Sequence, residues 1–444
     1  MTDVKKACEG FITFQEAKDM SKEDAISLQK EYQNHERVKL AEQLGAAQQF
    51  VGAGENGVEL FDSDGNRHLD FIGGVGVMTV GSCNKHVWNA IEQAKDIPAI
   101  HALAVRPMSA VLANNISKLS GGKLKKVWFG TSGSEASEAA IKISKMSFKG
   151  TRHKFVSVYN GYHGKTTGAL SLSKVKWALH QSPLMPGVST VKMGDVHALE
   201  EALKYEDVAA FFIEPVQGEG GIHVASDEYL KAARELCTKY GTLMVVDEIQ
   251  CGLGRTGKMW AHQHAGIEPD LVIFAKGISG GYMPLAGYIC TEKLWNDAYG
   301  TPATAFHHTV TYGNNILSCS AGIASLEYLL ENDLMDKATE KGEYMMKKLT
   351  EIKSSNEDVI KEVRGKGLMI GIEFHAPKET DSEAFAAVVA ATMMNKYRIQ
   401  TLFSINNPVV VRALPPLAVT YEQMDEFLTS FEKAIGDAKE TMNV

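Results

Sequence analysis

Short apolar runs that each end in a charged residue recur through the middle of the chain. The run at residues 243–246 is followed by Asp247, and the run at residues 271–275 is followed by Lys276. Runs of this length are too short for a free-standing helix and are typical of strands that are buried on both faces. Because open α/β sheets bind ligands at the carboxyl ends of their strands, we expect Asp247 and Lys276 to face one site.

The pattern of a short strand followed by a helix repeats along much of the chain. Further short strands are predicted at residues 125–129, 155–158, 209–213 and 285–290. Repeated units of this kind predict an α/β fold whose sheet is mostly parallel and covered by helices on both faces. We expect this large domain to occupy residues 110–335.

The two ends of the chain predict an arm and a smaller domain. Residues 58–71 have the pattern of a hairpin around an Asp-Gly turn. The C-terminal part alternates strands with helices, and its last helix opens with a capping box of Thr420 and Gln423. The predicted boundaries are an N-terminal arm at 1–50 with a helical tract around 21–44, the N-terminal part of the small domain with its connection at 51–109, and a C-terminal small α+β domain at 336–444.

Composition and charge exclude several other classes of protein. The 444 residues are 44% hydrophobic and carry a formal net charge of −8 without a basic stripe, which argues against binding to nucleic acid or to an anionic membrane. We find no charged-then-apolar leader and no apolar run long enough to span a membrane. The six cysteines are scattered, and the adjacent His307 and His308 lack further ligands at metal spacing. We therefore expect a soluble, cytoplasmic protein with reduced thiols and no metal site.

Asp247 and Lys276, presented side by side, suit a site for pyridoxal phosphate. A lysine can form a Schiff base with this cofactor, and an acid can keep its pyridine nitrogen protonated so that the ring accepts electrons. For each residue alone, a structural alternative stands. Asp247 then caps the next turn, and Lys276 is a solvated loop lysine.

Two further stretches carry candidate cofactor-binding groups. Ser132 and Ser134 open a helix directly after a strand, where free amide groups and the helix dipole favour a phosphate. The alternative is a plain helix start, because Ser132 and Glu135 also have the spacing of a capping box. Tyr162 stands among glycines at a strand end, so that it can lie on a planar ring or simply fill the core.

Two charged residues are candidates for substrate contacts. Glu219 lies in a glycine-rich loop, the usual setting for a side chain that moves or faces a ligand. Arg412 follows the apolar residues 409–411, so a strand carries its guanidinium group to the boundary between the domains, where it can clamp a carboxylate. A structural salt bridge is the alternative for Arg412.

Seven stretches taken together resemble a known family. The chain is similar to the class III (ω-amino) aminotransferases, which are fold-type I pyridoxal phosphate enzymes, from residue 58 to its C-terminus. The stretches are FGTSGSEASEAAIKISK, NGYHGKT, EPVQGEGG, VVDEIQCGLGRTGKMW, PDLVIFAKGISGGYMPLAG, TVTYGNN and VRALPPL. The resemblance implies a homodimer with active sites shared between its subunits, and dimers that possibly pair into tetramers.

The resemblance also implies a role for each cofactor contact. Lys276 is implied as the Schiff-base lysine and general base, and Asp247 as the partner of the ring nitrogen. Gln250 is implied as the hydrogen-bond partner of the ring oxygen, and Tyr162 as the stacking aromatic. The remaining implied cofactor contacts are Ser132, Gly133, Ser134 and His163, with Thr311 reaching the phosphate of the neighbouring subunit's cofactor.

For the substrates, the resemblance implies two small molecules that share one pocket. Arg412 is expected to bind the α-carboxylate of a keto acid such as 2-oxoglutarate or pyruvate, and Glu219 is expected to pair with Arg412 when the amine donor lacks that group. Val75 stands where ornithine-type members carry tyrosine, and Lys145 is aligned with an arginine of 4-aminobutyrate-type members. Putrescine-type members are the most similar in appearance, because they share the polar N-terminal arm, GKGLM at residues 365–369 and a lysine at position 145. A diamine or an ω- or β-amine is therefore the expected donor. The alternative is elimination, decarboxylation, epimerisation or aminomutase chemistry at the same site.

Overall fold

The computed structural model describes residues 10–100, 103–173, 175–376 and 380–444. The first nine residues of the predicted arm, Cys8 among them, lie outside the described residues. The helical tract predicted around residues 21–44 is confirmed, with a short π-helical turn at Lys30–Asn34 between two α-helices. The boundaries that we expect between domains remain predictions.

Fifteen strands and fourteen α-helices longer than one turn make up the described part of the chain. The strands are Phe50–Ala53 (β1), Glu59–Asp62 (β2), Arg67–Asp70 (β3), Leu124–Gly130 (β4), Lys154–Val158 (β5), Val188–Val191 (β6), Val208–Ile213 (β7), Leu243–Asp247 (β8), Leu271–Phe274 (β9), Ala286–Thr291 (β10), Ile360–Lys366 (β11), Met369–Phe374 (β12), Ile399–Gln400 (β13), Leu402–Phe403 (β14) and Val410–Ala413 (β15). The helices are Phe14–Lys18 (α1), Lys22–Gln29 (α2), His35–Leu44 (α3), Lys85–Ala94 (α4), Pro107–Leu119 (α5), Gly133–Ser147 (α6), Thr167–Ser173 (α7), Val196–Leu203 (α8), Asp227–Tyr240 (α9), Glu292–Tyr299 (α10), Ile316–Glu331 (α11), Leu334–Ser354 (α12), Ser382–Asn395 (α13) and Tyr421–Met442 (α14).

The central sheet has seven strands in the order β4-β10-β9-β8-β7-β5-β6. The predicted α/β fold with a mostly parallel sheet is confirmed, because β6, β5, β7, β8 and β9 pair in parallel. Strand β10 is antiparallel to both of its neighbours, a direction that its sequence did not indicate. Only residues 275–285 join β9 to β10, and a connection this short has no room for the crossover that a parallel neighbour requires.

Each face of the central sheet has its own apolar core, so the sheet is covered on both sides as predicted. Phe211 and Val246 belong to one buried cluster together with residues of α9 and α11. Phe212 and Val245, their direct neighbours in sequence, belong to a second cluster with residues of α6 and α10. Side chains that alternate between two buried faces explain why these strands read as unbroken apolar runs.

Two four-stranded sheets are built from the remaining strands, in the orders β1-β2-β3-β13 and β11-β12-β15-β14. Residues 399–403 divide between these two sheets, since β13 pairs in parallel with β3 whereas β14 pairs antiparallel with β15. The capping box of Thr420 and Gln423 at the start of α14 is confirmed. Among the described residues, every helix is too short or too polar to cross a bilayer.

Candidate active site

A cavity of about 450 Å³ opens where β7, β8 and β9 end, beside the N-terminus of α6. Parallel pairing aligns these strand ends, because Ile213 lies opposite Val246 and Asp247 lies opposite Ile273. The predicted site residues that line this cavity are Ser132, Gly133, Ser134, Tyr162, His163, Glu219, Asp247, Gln250 and Lys276. Residues from five separate stretches of sequence are thus brought together at one edge of the sheet.

Lys276 lies two residues beyond the end of β9, and its amine is bonded to a backbone carbonyl rather than to an acid. Its Nζ donates to the carbonyl oxygen of Val75 at 3.0 Å. Burial lowers the pKa of Lys276 to about 8, although the charges of Glu219 and Asp247 oppose that shift. Burial thus brings the neutral amine, the form that a general base requires, closer to physiological pH than in a free lysine.

The carbonyl that receives Lys276 belongs to an unusual left-handed turn, Gly73–Gly76. Val75 has a φ of 67° and stands among glycines that also have positive φ. A β-branched residue rarely adopts this conformation, because its side chain crowds the backbone. The Val75 oxygen also accepts a hydrogen bond from Gln250 Nε2 at 3.3 Å. A strained residue thus places one acceptor between the candidate lysine and the candidate ring-oxygen partner.

Asp247, the last residue of β8, is buried and bonded to His163. His163 Nδ1 lies 2.7 Å from Asp247 Oδ2, and the backbone N–H of Ile249 donates to Asp247 Oδ1 at 3.0 Å. Burial acts to lower the pKa of His163, but the hydrogen bond and charge of Asp247 outweigh it and the pKa is raised. A protonated His163 can donate a charge-assisted hydrogen bond to the Asp247 carboxylate.

The start of α6 forms a small-residue cradle against the loop after β5. Ser134 Oγ accepts a hydrogen bond from the backbone N–H of Lys165 at 3.2 Å. A Cβ on Gly164 would clash with Ser134 Oγ, so the two loops can approach this closely only because residue 164 is glycine.

The capping box expected for Ser132 and Glu135 is only half present. Ser132 Oγ accepts from the Glu135 N–H at 3.3 Å, as the interpretation required. The Glu135 carboxylate, however, bonds to the N–H and hydroxyl of Thr131 at 2.6 Å each and does not reach back to Ser132. The N–H of Thr131, one residue before the cap, takes the place of the expected partner.

Glu219 and Arg412 form a buried ion pair. Arg412 Nη1 lies 2.6 Å from Glu219 Oε1, and Arg412 has no exposed surface. Glu219 Oε2 also accepts from the backbone N–H of Ile405 at 3.1 Å, while Arg412 Nη2 donates to the Phe403 carbonyl at 3.2 Å. Burial would raise the pKa of Glu219, but the charge and hydrogen bond of Arg412 lower it. Glu219 lines the cavity, whereas Arg412 is not among the residues that do so.

Besides Arg412, three positions named in the sequence analysis lie outside the group that lines the cavity. Thr311 is exposed on the loop before α11. Val75 is half-buried and contributes its carbonyl, as described above. Lys145 lies in the last turn of α6, and its Nζ is 3.6 Å from Met185 Sδ. The expectation that this position bears on a substrate contact is therefore wrong. Twelve residues of helix separate it from Gly133, about 18 Å at the usual rise, so it bears on no contact at the cavity.

Glu214 lines the cavity but was not singled out by the sequence interpretation. It follows β7 directly, at the same edge of the sheet where Asp247 closes β8 and Lys276 lies two residues beyond β9. A charged residue at the end of a wholly apolar run was therefore the signal that pointed to it. Among the described residues, no group of three or more His, Cys, Asp or Glu side chains is placed to hold a metal ion.

Comparison with known proteins decides the family. A sequence model of the family Aminotransferase class-III matches residues 45–435. The chain is a class III aminotransferase.

Individual relatives agree with this membership. An uncharacterized aminotransferase of Schizosaccharomyces pombe is 42% identical over 443 residues, which cover 97% of this chain and 90% of the relative. The crystal structure of an ornithine aminotransferase from Toxoplasma gondii is 28% identical with a TM-score of 0.85, and the match covers 97% of this chain and 100% of that one. A PLP-bound amine transaminase from an uncultivated Pseudomonas species is 25% identical with a TM-score of 0.81, over 88% of this chain and 95% of that one.

This aminotransferase therefore depends on pyridoxal phosphate, and the cavity fits that group. In the described part of the chain, buried polar atoms that no protein group satisfies include His163 Nε2 and Gln250 Oε1. The helix start and the glycine-permitted approach at Ser134 suit a phosphate. A lysine, an ionised acid and an aromatic residue, Tyr162, stand around the same space.

The lowered pKa of Lys276 predicts how this lysine reacts in the cofactor-free protein. Only a neutral amine is acylated, so we expect the rate of Lys276 labelling by a small amine-reactive reagent to rise with a midpoint near pH 8, rather than near 10.5. Peptide mass spectrometry after labelling across a pH series measures this midpoint. The same peptide labelled in denaturant is the control, and a midpoint that does not move on unfolding would contradict the burial argument.

Proposed function

We propose that this class III aminotransferase moves an amino group from an amine without an α-carboxylate to a keto acid such as 2-oxoglutarate or pyruvate. The observation that carries the proposal is the buried pair of Glu219 and Arg412. A guanidinium group that must bind a carboxylate in one half of the reaction is costly to leave unpaired in the other half. An acid that lines the cavity and pairs with this arginine supports two unlike substrates in one pocket.

We assign the catalytic roles to Lys276 and Asp247. Pyridoxal phosphate, when bound, supplies an aldehyde that combines with amines and a ring that withdraws electrons. Lys276 Nζ would hold this aldehyde and, when free, would carry a proton to and from the substrate. Asp247, which is hydrogen-bonded to His163, would hold the ring nitrogen in its protonated form. The low pKa of Lys276 supports its role as a base.

The other candidate contacts complete the proposed cofactor site. The N-terminus of α6 with Ser132, Gly133 and Ser134 would hold the phosphate, and Tyr162 would lie against the ring. Gln250 Oε1, which finds no protein partner among the described residues, would face the cofactor.

For the donor, we favour a diamine or an ω- or β-amine. Val75 meets the Lys276 amine through its backbone carbonyl, and its apolar side chain cannot make the polar contacts that a tyrosine would make with ornithine. The resemblance to putrescine-type members points the same way. Elimination, decarboxylation, epimerisation and aminomutase chemistry are the alternatives, but none of them needs an acid that neutralises a carboxylate-binding arginine in turn.

A panel of amines tests the donor class. We expect the visible absorbance of the bound cofactor to disappear when putrescine or cadaverine is added without a keto acid, because the amino group is then transferred to the enzyme. Ornithine and 4-aminobutyrate should act poorly. A Lys276→Ala variant in the same assay is the control and should show no turnover. Conversion by ornithine alone would contradict the donor class, and no conversion by any amine would contradict aminotransfer.

Replacing each member of the ion pair should raise the KM of a different substrate. We expect Arg412→Ala to raise the KM for the keto acid by about tenfold or more, with a smaller effect on the amine, because a charge-assisted contact to the carboxylate is lost. Glu219→Gln should instead raise the KM for the amine, since the arginine then stays unneutralised. Steady-state kinetics with both substrates varied measures the two effects. Equal changes for both substrates in either variant would remove the argument for a switch.

We further propose a homodimer whose active sites are shared. Thr311, implied as a contact to the neighbouring subunit's cofactor, is exposed on its loop, and Phe306 and Tyr312 of the same loop are exposed aromatics. Leu103 and Val105 add apolar surface that is 81% and 92% exposed. Large exposed apolar side chains in one chain favour burial against another. The cytoplasmic location remains a prediction.

Sedimentation measures the proposed assembly directly. We expect a mass near 97 kDa, twice the 48.4 kDa chain, or a multiple of it if dimers pair into tetramers. Val105→Asp should weaken the assembly, because it places a charge on the surface that is to be buried. Glu432→Ala, an exposed change on α14, serves as the control. A monomer at micromolar concentration would contradict the shared site.

A further inference from the structure

Glu214 is a buried acid in the cavity for which the proposed function has no use. It is 6% exposed and stands one residue beyond Ile213, next to Asp247 in the parallel register of β7 and β8. A carboxyl group removed from water at this position needs a compensating set of hydrogen bonds. Its partners therefore indicate what it does.

The two oxygens of Glu214 hold two different loops. Oε2 accepts from the backbone N–H of Tyr162 at 2.9 Å, and Oε1 accepts from the backbone N–H of Gly218 at 3.1 Å. The first loop carries Tyr162 and His163, and the second carries Glu219. One carboxylate thus joins the loop proposed to face the cofactor ring to the loop proposed to select the substrate.

Glu214 also adds a negative charge beside His163. Its charge and that of Asp247 both act to raise the pKa of the imidazole. Burial raises the pKa of Glu214 itself to about 7, and the charge of His163 and the two backbone hydrogen bonds work against that rise. A Cβ added at Gly161 would lie 3.2 Å from His163 Nε2 and 3.4 Å from Glu214 Oε2, so both groups meet at this glycine.

We propose that Glu214 is a positioning residue for the cofactor site. Its carboxylate fixes the backbones of Tyr162 and Gly218 at the strand ends, and thereby the loop from which His163 reaches Asp247. The inference rests on the cofactor contacts of Tyr162 and Asp247 that are proposed above.

Glu248 provides a matched control within the same chain. It is also buried, and its carboxylate accepts from the backbone N–H groups of Ala261 and His262 at 2.8 Å each and lies 2.9 Å from His262 Nδ1. It does not line the cavity. Glu248 therefore has the same kind of partners as Glu214 without the position beside the cofactor site.

The test compares Glu214→Gln with Glu248→Gln in the full-length protein. A glutamine has one acceptor oxygen and no charge, so in Glu214→Gln one loop N–H loses its partner. Titrating pyridoxal phosphate into the cofactor-free protein should show binding weakened by about tenfold and a shifted absorbance maximum of the bound cofactor. Glu248→Gln should lower the melting temperature but leave affinity and absorbance maximum unchanged.

Two results would overturn the inference. One is wild-type affinity and absorbance in Glu214→Gln, and the other is the same change in both variants, which would reflect only the loss of a buried acid. If Glu214→Gln does not fold, Gly161→Ala disturbs the same junction while keeping the acid, and unchanged affinity and absorbance in that variant would count against the proposal. Failure of the proposed function is distinguishable, since it would appear in the wild-type protein as cofactor that is not bound through Lys276.

Discussion

Burial of several charged groups around one cavity is the constraint on which the rest of the site depends. An ionised side chain taken out of water is costly unless an opposite charge or hydrogen bonds replace the solvent. Arg412 has Glu219 for this purpose, and Asp247 has His163. Among the described residues, Lys276 Nζ has a backbone carbonyl as its hydrogen-bond partner, and burial lowers its pKa to about 8. The ion-pair partner of Glu219 and the hydrogen-bond partner of His163 thus shift the pKa values of these two groups, whereas burial dominates the pKa of Lys276.

The central sheet makes this concentration of charge possible. Its parallel strands are buried on both faces and can carry polar side chains only where they end. Strands β7, β8 and β9 end at the same edge, where Glu214, Asp247 and Lys276 follow or close them. The helices on the two faces exclude water from the strands, while the loops at this edge supply the groups that satisfy the charges.

Position along an element could be predicted from the sequence, but packing between elements could not. Apolar runs located the strand ends, and therefore Asp247 and Lys276, because the strand period and burial are local properties. The division of residues 399–403 between two sheets depends on distant groups, because β13 pairs with β3 whereas β14 pairs with β15. Lys145 shows this limit most clearly. A motif match gives its place along α6, but not the residues that its side chain contacts.

The left-handed turn that contains Val75 has a consequence for how such an enzyme diversifies. Hydrogen bonds from Gly76 N–H to the Ile72 carbonyl and from Val77 N–H to the Gly73 carbonyl fix its backbone independently of the side chain at 75. Any residue that replaces Val75 inherits a positive φ, which glycine and asparagine tolerate best. Substitutions at position 75 can therefore change the surroundings of Lys276. Fewer residue types are tolerated there, however, than at a position with a negative φ.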